Sequence, residues 1–135
     1  MLIPAADPEN TAAADPLRGV PAVRRLKSYQ AETGFTWAYY FEGYRVEAAP
    51  HPARAYVFTL QGGSRSPRQV FVVISERTIA DAAERTGGVI APRESYALAK
   101  MHLFSVLDRE EPPAPDSRWE LDVSAAVAIW EQLDL

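Results

Sequence analysis

The chain has 135 residues, no cysteine, 47% apolar and 24% charged side chains, and a net charge of −4. That usage is globular rather than disordered, and the length is enough for one core that folds without metals or disulfides. With no Cys, disulfide scaffolds, thiolate zinc sites, iron–sulfur clusters and cysteine nucleophiles are excluded, and no cofactor is expected.

The charge is unevenly spread. Residues 1–17 carry a net −3, residues 18–77 a net +5 and residues 78–135 a net −6. A basic half before an acidic half implies either an anionic partner or two ends that satisfy each other, and the scatter of the basic residues favours the second. No basic stretch precedes an apolar run, so no signal peptide is expected. No window approaches the roughly 18 apolar residues of a membrane span. With the missing Cys, this points to a soluble cytoplasmic protein. The heavy use of Ala, Arg and Pro suggests a GC-rich bacterial gene.

Residues 1–19, with Pro4, Pro8, Pro16 and an Ala run, have no apolar period and read as a disordered arm. Residues 20–135 then form a single α+β domain. Pro21 at a first helical turn, Val23, Leu26 and Tyr29 on one face, and Gly34 as a stop predict a helix over 21–33. Phe35, Trp37, Tyr39 and Phe41 alternate with Thr36, Ala38 and Tyr40, the pattern of a strand with one strongly buried face. Gly43 makes either a bulge or, the favoured reading, a hairpin turn into a further strand at Tyr44–Ala49. Tyr56, Phe58 and Leu60 mark the next strand, and the run Val70–Ile74 a central strand covered on both faces.

Ser75 is a good N-cap for a helix over Glu76–Thr86 closed by Gly87-Gly88. Pro92 opens the longest helix, to about Asp108. An acidic, Pro-rich linker at 109–118 precedes a terminal helix from about Ser124. The expected architecture is a three- to four-stranded antiparallel meander packed by an N-terminal helix and two to three C-terminal helices.

Candidate sites are few. His51 lies between two prolines and His102 on a helix flank, neither with a helical His partner, so neither a metal centre nor a catalytic group is expected. No Gly-x-Ser-x-Gly elbow surrounds Ser64 or Ser66. Tyr96-Ala97-Leu98-Ala99-Lys100 resembles the Tyr-x-x-x-Lys pair of short-chain dehydrogenases. That resemblance implies a doubly wound fold with a Gly-rich nucleotide turn, and this chain has neither. Tyr96 therefore reads as a core residue, with Lys100 reaching out from its edge. The loop Gly62–Arg68 offers Arg65 and Arg68 for an anion or nucleic acid. With the basic first helix, the helix–strands–helix order resembles double-stranded RNA-binding domains in topology. Glu76 and Arg77, however, stand where those domains begin a helix with Lys, and the net acidity makes nucleic acid the least favoured partner.

Tyr40, Glu42, Tyr44 and Tyr56 are the candidate ligand-binding or interface residues, since Tyr offers apolar area and a hydroxyl together. The favoured function is a non-catalytic interaction module, self-associating or serving a protein partner. A small-molecule binder or small enzyme with a pocket over the aromatic sheet face comes second, and an anion or nucleic-acid binder third.

Overall fold

A computed structural model of the chain describes residues 17–48, 50–62, 65–109 and 111–133, with Arg65 described by its backbone alone. Among the described residues, five strands form one mixed sheet in chain order: β1 (Lys27–Gln30), β2 (Thr36–Glu47), β3 (Ala53–Gly62), β4 (Arg65–Ser75) and β5 (Arg118–Glu120). The first four pair antiparallel, and β5 joins β4 in parallel. A parallel neighbour needs a long crossover, and here α1 (Glu76–Thr86) and α2 (Pro92–Leu107) supply it; α3 (Val123–Leu133) follows β5. The fold is α+β, with helices packed on one face of the sheet.

Alternation along the strands sets the core. Tyr56, Phe58 and Leu60 of β3 and Val70, Val72 and Ile74 of β4 point to the helices. There they meet Leu98, Leu103 and Leu107 of α2, Ala82 of α1 and Ala126 of α3. Ser75 caps α1 by accepting from the Thr78 N–H at 3.0 Å, and Gly87 ends it at φ 74°.

Three expectations need correction. Residues 21–33 do not form a helix: Lys27–Gln30 is an edge strand paired with Thr36–Tyr39. The helical spacing was misleading because Val23 and Leu26 are 60% and 55% exposed. Tyr29 alone of that stripe packs, stacking on Phe104 at 4.0 Å and donating to Asp108 at 2.9 Å. Burial, then the Asp108 carboxylate, pushes its phenol up to about 12. Second, Gly43 does not turn a hairpin. It sits in a bulge of one long strand, where the register shifts between Phe41 and Gly43. Third, the sheet is not a pure meander, because β5 is parallel.

Most of the expected arm, residues 1–16, lies outside the described residues. Its last part, however, is held to the sheet: Arg18 and Tyr44 exchange two backbone hydrogen bonds of 2.8 and 2.9 Å. The linker is also pinned, through Asp116 N–H to Gln69 and Arg68 to the Pro113 carbonyl. No helix among the described residues is long and apolar enough to cross a membrane.

The sheet face turned away from the helices is roofed by arginines. Arg24 lies 3.6 Å from the centre of the Tyr40 ring, Arg45 reaches to 5.9 Å from Phe71, and Arg118 meets Glu47 at 3.0 Å. Ala53, Ala55 and Val73, small and buried, form a separate apolar cluster on this face.

Candidate binding groove between the sheet and the second helix

The bulge at Gly43 decides where the candidate tyrosines go. Side chains alternate along a strand, so an extra residue reverses the parity beyond it. Before the bulge Trp37, Tyr39 and Phe41 face the helices, and Tyr40 and Glu42 face the other way. After it Tyr44 pairs with Tyr56 and joins the helix side. The four expected site residues are therefore two pairs on opposite faces.

Tyr40 and Glu42 belong to a clamp. Glu42 accepts from Arg24 Nε and Nη2 at 2.9 and 2.7 Å and from the Thr59 hydroxyl at 2.6 Å. The Arg24 guanidinium foremost, with the Thr59 hydroxyl, holds this carboxyl below its ordinary 4.5 against the opposing effect of burial. A depressed carboxyl contributes stability above its ordinary pKa and loses it as pH falls through the folded value. The expected result is that Glu42→Gln flattens the acid limb of the stability–pH curve below pH 4.5, measured by urea unfolding. An unchanged acid limb would show that the clamp contributes nothing.

Tyr44 and Tyr56, by contrast, line a groove. Their rings lie 5.6 Å apart, and Arg54 stands 4.7 Å over Tyr44. Across from them α2 presents Pro92, Arg93, Ser95 and Tyr96. Two cavities open along this seam. One, of about 290 Å3, runs from Arg54 and Tyr56 to Ile74, Ile79, Ile90 and Ser95. The other, of about 270 Å3, is walled by Phe41, Tyr44, Arg54, Tyr56, Arg93 and Tyr96. They share Arg54, Tyr56 and Pro92. A third of about 270 Å3 continues past Phe41 and Tyr96 to Arg25 and Lys27.

Tyr56 is the residue at the junction. It is 1% exposed, and its hydroxyl makes no short hydrogen bond among the described residues, although the Arg54 guanidinium and the Ser95 hydroxyl lie close enough to act on it. Burial raises its pKa, with Arg54 and then Ser95 pulling the other way, so the phenol stays protonated at neutral pH. A buried hydroxyl without a short hydrogen bond is under-satisfied, and a ligand oxygen placed between the two cavities would complete its bonding.

The remaining candidates are placed as follows. Lys100 Nζ sits 5.6 Å over the Tyr96 ring. Burial raises the Tyr96 pKa, whereas proton transfer of the dehydrogenase kind needs it lowered. Arg68 is buried, bonds the Pro113 carbonyl at 2.9 Å and lies 5.9 Å from the Trp37 ring. The Arg65 side chain lies outside the described residues. The double-stranded RNA-binding order fails among the described residues, where the expected helix over 21–33 gives way to the strand Lys27–Gln30. His102 is held down chiefly by burial, and His51 lines a separate polar cavity of about 480 Å3 with Glu47, Arg77, Arg118 and Glu120. Among the described residues no group of three or more His, Cys, Asp or Glu is placed to hold a metal ion.

Sequence reasoning named Tyr44 and Tyr56 but missed Arg54, Arg93, Ser95 and Tyr96. Proline at the start of α2 was the one available signal, since it fixes where the helix mouth meets the sheet. Comparison with protein-family models, with curated proteins and with solved structures finds no match.

Proposed function

We propose that this protein binds a small molecule in the groove between β2, β3 and the first turns of α2, and performs no chemistry on it. The observation that carries the reading is the Tyr56 hydroxyl, buried where two cavities meet, with Arg54 and Ser95 beside it and no short hydrogen bond to either. Aromatic and apolar walls with a few polar groups are the usual make-up of a ligand site. The cavities, at about 290 and 270 Å3, are of the size that holds one ring system. A binding role rather than catalysis is supported by what surrounds the phenol. Arg54 and Ser95 flank it, and among the described residues no base or nucleophile pair converges there. The absence of Cys fits a reducing cytoplasm.

A second reading, self-association, is favoured by Val20, Val23 and Leu26, all more than half exposed on one short segment beside the edge strand. One experiment separates the two. Native mass spectrometry of the protein as purified is expected to show a monomer with a reproducible added mass, lost in Tyr56→Phe. The same substitution is expected to leave the unfolding midpoint of the ligand-free protein nearly unchanged, because the hydroxyl makes no short hydrogen bond to lose. A clean dimer favours self-association. An added mass that survives in Tyr56→Phe moves the site out of the groove.

A further inference from the structure

We infer that the groove takes a planar carboxylic acid: a ligand with one flat ring system and a single carboxylate. The inference rests on the groove being the binding site and adds the class of molecule that fills it.

Shape argues for the ring. Tyr44, Tyr56, Tyr96 and Phe41 pack on one another, with Tyr56 and Tyr96 6.5 Å apart and Phe41 4.5 Å from Tyr96, and so form one continuous aromatic wall of the cavity. A continuous aromatic wall favours a flat partner laid against it in offset or edge-on packing. A flexible chain would lose more rotamer freedom for the same area.

Charge argues for the acid and for its position. Arg54 and Arg93 both line the cavity of about 270 Å3, and no acidic side chain lines it among the described residues. The cavity beyond Tyr96 adds Arg25 and Lys27, again with no acid. Glu76 lies at the opposite end, beside Ile79 and Ala80. Positive potential therefore rises along the groove from Glu76 towards Arg93, and an anionic group settles at the arginine end. Guanidinium matches carboxylate in a planar fork. Tyr56 completes the set: its burial-protonated phenol donates to a carboxylate or carbonyl oxygen, where an ionised one would repel it. Two arginines can balance either one or two negative charges, so size makes the choice: in a cavity of about 270 Å3 walled by aromatic rings, a flat carboxylate on a flat ring fits better than a tetrahedral phosphate.

Titration calorimetry on the full chain tests this with four probes: naphthoate, its amide naphthamide, naphthyl phosphate and cyclohexanecarboxylate. Naphthoate is expected to bind about tenfold or more tighter than naphthamide, the margin of a charge-assisted hydrogen bond pair. It should also beat cyclohexanecarboxylate, which has the charge without the flat ring. Arg93→Gln, an exposed change on α2 that leaves the core alone, is expected to bring naphthoate and naphthamide close together while naphthamide affinity holds. Arg54→Gln should do the same. Equal binding of acid and amide to the unaltered protein overturns the acid assignment and leaves the groove standing as a ligand site. Tighter binding of the phosphate overturns the choice of carboxylate. No binding of any probe overturns the class altogether, while the added mass and its dependence on Tyr56 judge the groove separately.

Discussion

Gly43→Ala is expected to lower the free energy of unfolding by about 2–4 kcal/mol, through backbone strain and the loss of hydrogen bonds to the amino-terminal segment. Gly43 has φ 123°, a backbone region that L side chains rarely adopt. A Cβ added there would lie 2.7 Å from the Arg18 carbonyl oxygen and 3.2 Å from Val20 Cγ2. The nearest of these atoms is backbone, so no rotamer change relieves it. Either the bulge flattens or the segment Leu17–Val20 leaves the strand edge. Flattening reverses the parity of everything after it and turns Tyr44 away from Tyr56, which the paired β3 register opposes. Detachment is therefore the expected outcome. Hydrogen exchange at the Arg18 and Tyr44 amides, which bond each other's carbonyls in the intact protein, should rise sharply in the variant. Unchanged protection at both amides with unchanged stability would show that the bulge tolerates a side chain and that the close approach is not tight.

The consequence for the groove is direct. Gly19 and Val23 line its cavities, so losing the Arg18 pairing removes one wall without touching Tyr56. Ligand affinity and stability should then fall together in Gly43→Ala. In Arg93→Gln affinity should fall while stability is kept.

Which parts were legible in the sequence follows from how local their causes are. The helix over Glu76–Thr86 was readable because Ser75 and Gly87 act within a turn of the residues they cap. α2 was readable because Pro92 can stand only at a helix start. β3 and the centre of β4 were readable from their buried runs. β1 was not, because Lys27-Ser28-Tyr29-Gln30 has no apolar alternation of its own; it is a strand only because β2 offers an edge and Asp108 accepts from Tyr29 and from the Glu32 N–H. β5 was hidden for a similar reason: three residues pair in parallel with a strand more than forty positions earlier, and no local pattern encodes that. In the site, Tyr44 and Tyr56 were visible as candidates. That the bulge would put them on the same face, and Tyr40 on the other, was not. Nor can any sequence pattern show that one buried hydroxyl among several makes no short hydrogen bond.

Two neighbouring residues of β3 provide the sharpest test of the layer beneath the groove. Val57 and Phe58 are both 0% exposed, but they lie on opposite faces of the sheet. Phe58→Ala is expected to cost about 3–5 kcal/mol, the range for removing a buried ring. The ring packs against Phe41 at 5.5 Å, Tyr39 at 6.4 Å and Tyr96 at 6.5 Å. Its neighbours are anchored on β2 and on α2, so they cannot close the void without moving a helix. Val57→Ala removes only two methyl groups, on the face where the Arg45 side chain rather than a helix reaches over the sheet towards Phe71. Its expected cost is about 1–2 kcal/mol at roughly 0.8 kcal/mol per buried methylene. Urea unfolding of both variants measures the difference. Equal losses would mean that the arginine roof packs as rigidly as the helical layer. If Phe58→Ala proved the milder change, the helices would not hold the sheet as tightly as their buried leucines imply. The expected order, with Phe58 well above Val57, makes the aromatic layer under Tyr96 a rigid floor, which is what a groove needs to present Tyr56 and Arg54 at fixed positions to a ligand.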